Sequence, residues 1–311
     1  MAEGVHIFSP ATVANVGPGF DILGFAMNQP GDEILLERIS GGDHIIIDRS
    51  GVGLPMDPEK NVATVAIDSM LGQLESKQKF KITFLIKIAP GSGIGSSAAS
   101  SAGAVYGANL LLGNPFTNEE LVPFAMKGEE AASGSAHADN VAPALLGGFV
   151  LVRSYEPLDI ISIPGPEQIY CSVVYPEISI ATEDSRKILK TTVSLEKAIT
   201  QCGNIAGLVT GLITEDFRLI SDSMQDVIAE PIRSFLIPEY DEVKQASLEA
   251  GALGCSISGS GPSIFALSKD EETAQRAGAQ MQKVFASAAI GSSVFISQVN
   301  KQGIKILTEE S

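Results

Sequence analysis

The stretch PGSGIGSSAASS, Pro90 to Ser101, combines alternating glycines with serines. A β-rich run, Lys79–Ala89, precedes it, and an Ala-, Gly- and Leu-rich run ending near Leu112 follows. A strand, a glycine loop and a helix N-terminus together make an anion site. Gly91, Gly93 and Gly95 let the backbone pass through positive φ and approach a ligand. Ser96 and Ser97 add hydroxyls where the first-turn N–H groups lack helical partners and the helix dipole favours negative charge. The chemistry indicated is phosphate binding. The spacing is not GxxxxGK[ST], because no Lys follows the glycines, and no ribose-binding acid follows to complete a dinucleotide fingerprint. Taken alone, the stretch reads equally well as a Gly/Ser turn ahead of a helix.

Three other groups of residues could do chemistry. Asn15 and Asp21 bracket Gly17-Pro18-Gly19 in SPATVANVGPGFDILGFAM, Ser9–Met27, either as turn residues or as ligand groups. In KGEEAASGSAHADNVAPALLGG, Lys127–Gly148, the residues Glu129, Glu130, His137, Asp139 and Asn140 are crowded among small side chains. Glu130 reads as a solvated helix residue, and the absence of HExxH or a Cys/His set argues against zinc. Thr182 and Arg186 lie in a segment turning helical, and Arg233 follows Pro231 in AEPIR. Each arginine alone reads as a surface charge. A second glycine loop, SGSGP at Ser258–Pro262, is either a hairpin turn or a loop that closes over the first.

The elements that must position these groups are read from periodicity and breakers. Strands are expected at Val5–Phe8, Lys79–Ala89, Phe149–Arg153, Asp159–Ile163 and Tyr170–Tyr175. Asp32–Ile39 and His44–Arg49, joined by Gly41-Gly42, read as a hairpin in which His44 is structural. Asn61 caps an amphipathic helix to Leu74, and Thr117 with Glu120 makes a capping box. Helices are expected at Ser194–Ile213, Asp216–Met224, Glu239–Ala250 and Glu271–Phe285. A strand, turn and strand occupy Gly251–Ser268, and the final strand is Ser292–Val299.

A chain of 311 residues exceeds what one core usually serves, so two domains are expected. With 44% hydrophobic and 19% charged residues it reads as soluble and globular. No apolar run would span a bilayer, and no secretory signal is visible. Three cysteines, Cys171, Cys202 and Cys255, without a CxxC pair fit a reducing compartment. A net charge of −16 argues against nucleic-acid binding. It leaves room for an anionic ligand held by local cations and backbone N–H groups.

In their order and spacing, the three glycine-bearing segments resemble those of the GHMP kinases, small-molecule kinases named for galactose, homoserine, mevalonate and phosphomevalonate. The resemblance runs over nearly the whole chain, from SPATVANVGPGFD through PGSGIGSSAAS to GCSISGSGPSIFAL. PATVANVGPGFDILGFAM and GSAHADNVAPALLGG are similar to the members that act on homoserine. Pro90 lies one residue nearer the Gly-Ile-Gly than the family's proline, and Ile94 stands where Leu is commoner.

The resemblance implies an α+β, two-domain GHMP kinase fold, with nucleotide and substrate between an N-terminal domain, 1–155, and a C-terminal domain, 156–311. It implies ATP and Mg2+, and transfer of a phosphoryl group to the side-chain hydroxyl of L-homoserine, giving O-phospho-L-homoserine in threonine biosynthesis. It places the phosphates on Pro90, Gly91, Ser92, Gly93, Ile94, Gly95, Ser96 and Ser97, the adenine side on Asn61 and Val62, and magnesium on Ser97 and Glu129. Glu130 is set aside because adjacent helix residues face different ways. Arg186 and Arg233, with Thr182 nearby, match the family's carboxylate site. Asn15 and Asp21 suit the ammonium, and His137 matches a homoserine-site histidine. Asp139 and Asn140 lie by the reacting hydroxyl as catalytic residues, with Asp139 either removing its proton or only orienting it. The resemblance also implies a homodimer, while charge, the lack of a long apolar run and the cysteines lead us to expect no nucleic-acid or membrane partner and a cytoplasmic location, or a plastid in a plant chain.

Overall fold

The computed structural model describes residues 3–134, 136–180 and 182–310. The fold is α+β and has two sheets. In the first sheet β1, Gly4–Ala14, lies between the long β2, Leu23–Ile39, and the C-terminal strand β11, Lys305–Glu310. Beyond β2 lie β4, Lys79–Ile86, and then β3, Ile45–Asp48. The start of β2 also pairs with β5, Phe149–Tyr155, which pairs in turn with β6, Leu158–Ile163. The second sheet has the order β10, Ser292–Gln298; β7, Tyr170–Pro176; β9, Ile264–Ser268; β8, Gly254–Ile257. No helix among the described residues is long and apolar enough to cross a membrane.

Two expectations about strands fail. The segments before and after Gly41-Gly42 do not pair with each other, because β4 inserts between them, antiparallel to β2 and parallel to β3. The apolar KFKITFLI gives β2 a ladder from Lys79 to Ile86, longer than the four-residue β3 could supply. His44 is structural: it is buried, its Nδ1 accepts from the Phe80 N–H at 3.1 Å, and its Nε2 faces Asp68 at 3.0 Å. Nor is β10 the last strand. The polar run at Lys305–Glu310 is stabilised as β11 by pairing with β1 rather than by a pattern of its own. The division at 155 and 156 falls within the β5–β6 hairpin, where Tyr155 pairs with Leu158.

Helices α1, Val62–Gln73; α2, Ser96–Leu111; α3, Asn118–Ser133; and α4, Ala138–Leu146, pack with the first sheet. α2 is buried almost all round, which its small residues permit. A Cβ on Gly103 would lie 2.8 Å from Ile34 Cδ1, and one on Gly107 would lie 2.6 Å from Leu36 Cδ1. The helix whose N-terminus follows the glycine loop is therefore clamped onto β2. The C-terminal half also contains α5, Thr182–Lys187; α6, Leu195–Thr214; α7, Phe217–Ser223; α8, Glu230–Arg233; α9, Tyr240–Glu249; and α10, Glu271–Ser287. A shared core joins the halves, with Val13, Phe25 and Ile94 packed among Leu208, Met224 and Phe265. The Phe25 ring centroid lies 5.1 Å from Phe149 and 6.0 Å from Phe265.

Candidate active site

A cavity of about 500 Å³ opens between the two halves, and most of the residues singled out in the sequence line it. Its anion end is the loop from Pro90 to Ser97. Gly91, Gly93 and Gly95 have φ of 75°, 81° and 69°, as a glycine loop of this kind requires. Gly93 is also a packing requirement, since a Cβ there would lie 2.6 Å from the Gly261 carbonyl oxygen. The Ser258 hydroxyl donates to the Gly93 carbonyl at 2.7 Å. The second glycine loop thus closes on the first. Gly95 is the N-cap of α2 and no side chain caps it, so the helix end faces the cavity with backbone and serine groups. Pro90, Gly91, Gly93, Gly95, Ser96 and Ser97 line the cavity, while Ser92 is buried and Ile94 packs into the shared core.

A lysine does serve this loop, but it precedes the glycines. Lys87, at the end of the strand run, is buried and pairs with buried Asp32 at 3.1 Å. Its Nζ donates to the Ser96 carbonyl at 2.7 Å, to the Ser96 hydroxyl at 2.5 Å and to the Ile88 carbonyl at 3.1 Å. Burial lowers the Lys87 ammonium and raises the Asp32 carboxyl, and each shift is opposed by the partner's charge. The available signal was a single Lys between Ile86 and Ile88, just before the glycines.

Asn61 and Val62 line the same end with Leu54, Pro55 and Phe84. Asn61 is at the same time a helix cap: its Oδ1 accepts from the Ala63 N–H at 3.0 Å and its Nδ2 donates to the Pro55 carbonyl at 2.8 Å. Glu129 is buried and reaches the cavity from α3. Gly128 makes that approach feasible, since a Cβ there would lie 2.5 Å from the Val62 carbonyl oxygen. The Ser97 hydroxyl donates to Glu129, but burial dominates and pushes the carboxyl up to about 7. Glu130 is exposed and pairs with Lys127 at 2.8 Å.

In the middle of the cavity α4 begins with Ala138 and carries Asp139 and Asn140 on its first turn. β2 touches this turn closely: a Cβ on Gly24 would fall 1.9 Å from the Asp139 carbonyl oxygen. Asp139 is 2% exposed, and its Oδ1 has no hydrogen-bond partner. Burial, then the charges of Asp21 and Glu129, push its carboxyl up to about 7. Asn140 is oriented by Thr12, whose hydroxyl donates to its Oδ1 at 2.8 Å.

At the far end the charges hold one another. Arg186 donates to both oxygens of Asp21, at 2.8 and 3.0 Å, and to the His137 Nε2 at 2.6 Å. Burial and then the Arg186 charge lower the His137 imidazole, which therefore accepts as a neutral ring. Arg233 is 4% exposed and donates to the carbonyls of Ser185 and Gly259, each at 3.1 Å. Burial draws Arg233 down to about 10, so it stays protonated near neutrality. Asn15 bridges the halves: its Nδ2 donates to the Gly259 carbonyl at 2.7 Å and its Oδ1 accepts from the Asp21 N–H at 2.7 Å. Asn15 and Asp21 both have φ near +60°, which gives them the turn role as well. Thr182 opens α5, and its side chain lies outside the described residues.

Two further residues build this end without having stood out in the sequence. The Phe20 ring lies 4.8 Å from the Arg233 guanidinium carbon and 5.8 Å from that of Arg186. The Tyr155 hydroxyl donates to the Asp21 carbonyl at 2.9 Å. An aromatic residue in a loop and another at a strand end carry no spacing signal of their own. Among the described residues no cluster of three or more His, Cys, Asp or Glu side chains is arranged to hold a metal by itself. A metal that keeps waters and takes phosphate oxygens needs only a few hard protein oxygens, and Ser97 with Glu129 would offer two.

Comparison with known proteins agrees over the full length. The GHMP kinases N terminal domain model matches residues 61–148, and the GHMP kinases C terminal model matches residues 208–287. A homoserine kinase of Chlorobium phaeovibrioides is 48% identical, covering 98% of this chain and 100% of the relative. The crystal structure of a homoserine kinase from Cytophaga hutchinsonii has a TM-score of 0.95 at 51% identity, covering 99% of this chain and 98% of its own. The mevalonate kinase of L. major, at 18% identity and a TM-score of 0.69, shares the fold over 94% of this chain and 95% of its own.

Proposed function

The chain belongs to the homoserine kinase family of GHMP kinases, and on that premise we propose that its cavity transfers the γ-phosphate of ATP to the side-chain hydroxyl of L-homoserine, a step of threonine biosynthesis. One observation carries this reading. A single cavity joins a glycine-loop anion site to a paired set of opposite charges, with a buried carboxyl between them. A zwitterionic head group needs both charges, whereas mevalonate, a sugar or shikimate has no ammonium to offer Asp21.

Phosphoryl transfer needs positioning and charge stabilisation more than covalent help. The backbone N–H groups of Gly93–Ser97 receive the phosphates. Lys87 holds the exit of that loop through Ser96, so a buried ion pair fixes the donors instead of solvent. Ser97 and Glu129 would hold Mg2+, which when bound neutralises phosphate charge. A nearby cation also favours the ionised form of Glu129, whose carboxyl burial otherwise holds near 7.

At the other end the charged side chains satisfy one another. Asp21 and Arg186 bond each other bidentately, so the amino acid binds by exchange: its carboxylate takes Arg186 and Arg233, and its ammonium takes Asp21 and the Asn15 region. The charge count of that end is unchanged by the exchange. The hydroxyl then lies against Asp139, whose Oδ1 is unpartnered and can accept its hydrogen bond. With its carboxyl near 7, Asp139 is a stronger proton acceptor than an ordinary carboxylate. It takes the proton as the O–P bond forms and the bond to the leaving ADP breaks. Asn140, its Oδ1 held by Thr12, can turn its amide hydrogens to the reacting oxygens. We place the reaction in the cytoplasm, in keeping with three unbridged thiols.

The test is ADP release with homoserine, mevalonate, shikimate, galactose and threonine offered separately. Homoserine should be by far the fastest acceptor. A faster rate with mevalonate or a sugar overturns the reading.

A further inference from the structure

Gln201 sits on α6 with its side chain buried, and none of the roles above uses it. Three hydrogen bonds engage its amide group. Its Nε2 donates to the Pro18 carbonyl at 2.9 Å and to Asp226 Oδ1 at 2.9 Å, and its Oε1 accepts from the Val227 N–H at 2.9 Å. These partners lie on two segments far apart in sequence, one leading to Asp21 and the other to Arg233.

The first segment is the loop from Val16 to Asp21. It has little slack. Gly17 has φ +52° and a Cβ there would lie 3.0 Å from Met224 Sδ, while a Cβ on Gly19 would lie 2.3 Å from Leu23 Cβ. Two residues after Pro18 the Phe20 ring lies against both arginines, and the next residue is Asp21. The second segment leads into α8, a four-residue helix that ends in Arg233. A helix of one turn does not hold itself together, and its N-cap, Ala229, offers no side-chain bond. Asp226 supplies that anchor. Its Oδ1 accepts from the Ile228 and Ala229 N–H groups at 2.8 and 3.0 Å, and its Oδ2 accepts from the Glu230 N–H at 2.9 Å. One amide therefore ties the carboxylate-bearing loop to the anchor of the guanidinium-bearing helix.

We propose that Gln201, acting with Asp226, is a positioning residue that sets the gap between the Asp21 carboxylate and the Arg233 guanidinium, and so selects a head group carrying both charges. The inference rests on the reading of this end as the amino-acid site. The physical reason is that the two charges of an α-amino acid have a fixed separation, so the groups that receive them must have one too. A displacement of an ångström at a binding group costs far more than its direct contact suggests. α6 is a rigid ruler for that purpose because its buried face packs into the shared core through Leu208.

Gln201→Met keeps the length and bulk of the side chain and removes all three bonds. Two measurements are made on the full chain: amide hydrogen exchange without ligands, and steady-state kinetics with homoserine and ATP varied in turn. Exchange should quicken together in segments 16–21 and 227–233 and stay unchanged in 93–100. The homoserine KM should rise about tenfold, the size of one or two buried hydrogen bonds, with the ATP KM within about twofold of the original. Asn204→Ala removes a different α6 bond, to the Gln225 carbonyl, and should leave both KM values unchanged. Quickened exchange in only one of the two segments, an unchanged homoserine KM, or an equal rise in both KM values overturns the proposal. If Gln201→Met does not fold, Gln201→Glu takes its place: it keeps the side chain's shape but puts an acceptor where Nε2 donates to Pro18 and Asp226, and must quicken exchange in both segments. Should the unaltered protein not phosphorylate homoserine, the substrate reading fails, while the exchange result still decides whether the brace exists.

Discussion

At one end of the cleft the polar groups are backbone N–H groups and short side chains, held by a helix buried almost all round and by a buried lysine. At the other end they are long charged side chains that hold one another. The anion end is held in shape by its own surroundings, because Lys87 and Ser258 bond the glycine loop and α2 packs closely on β2. The charged end is paired within itself, with Asp21 accepting from both donors that Arg186 directs at it. Substitutions at the first end should therefore act through shape, and those at the second through lost charge pairing. Asp139 lies where the two meet.

The largest effect is expected at that junction. Asp139→Asn should lower kcat by about 10²–10⁴-fold with ATP binding retained, as single-turnover kinetics and nucleotide titration would show. For the unaltered protein kcat should fall as pH drops through about 7, where Asp139 takes up its proton, and the variant should lack that limb. Stability runs the other way. The folded carboxyl is raised from 3.8 to about 7, so its neutral form stabilises the fold at low pH and that contribution is lost as pH rises through about 7. The Asn variant should match the original near pH 4 and exceed it above pH 7, by at most about 4 kcal/mol, in urea unfolding. Equal stability across that range would mean that Asp139 is not a buried titrating acid.

Next come the arginines. Arg233→Met should weaken homoserine binding by about 2–5 kcal/mol, seen as KM with kcat less affected, because a deeply buried charge partner is lost. Arg186 has a side chain 38% exposed, so its loss should cost less, about 1.5–3 kcal/mol. An unchanged homoserine KM in both would remove them from the substrate site. At the anion end Gly93→Ala should raise the ATP KM and lower stability by about 1–3 kcal/mol, since the residue has φ +81° and its Cβ meets the Gly261 carbonyl. The homoserine KM should move less, which sharpens the contrast between the ends.

The smallest pair of effects separates two neighbours. Glu129→Gln should raise the magnesium requirement about tenfold, with partial rescue by added metal. Glu130→Gln should stay within about 0.5 kcal/mol of the original in both stability and metal use. A larger effect at Glu130 would reverse the assignment of the helix face.

The glycine-loop conformation at Gly91, Gly93 and Gly95, the cap at Asn61, the capping box at Thr117 and most helices were legible in the sequence. Each depends on residues within one or two turns of one another, where φ preference, capping and periodicity act. The fold class and the family were legible for a different reason: three motifs in fixed order leave few chains that fit them. Pairing between distant segments was not legible. β4 displaced β3 from the edge of β2 because a longer apolar ladder outweighed a short loop, and β11 exists only because β1 offers it an edge. The same limit applies within the site. Asp21 and Arg186 could each be chosen as binding residues, but their bond to each other depends on the packing of α5 against a loop 165 positions earlier. Lys87 was passed over because sequence rules place the phosphate-loop lysine after the glycines, whereas here the fold brings it up from the strand before them. Local sequence determined which groups could bind a phosphate or an amino acid. Tertiary structure decided which of those groups face the cavity, because burial and partner charge depend on what packs against them.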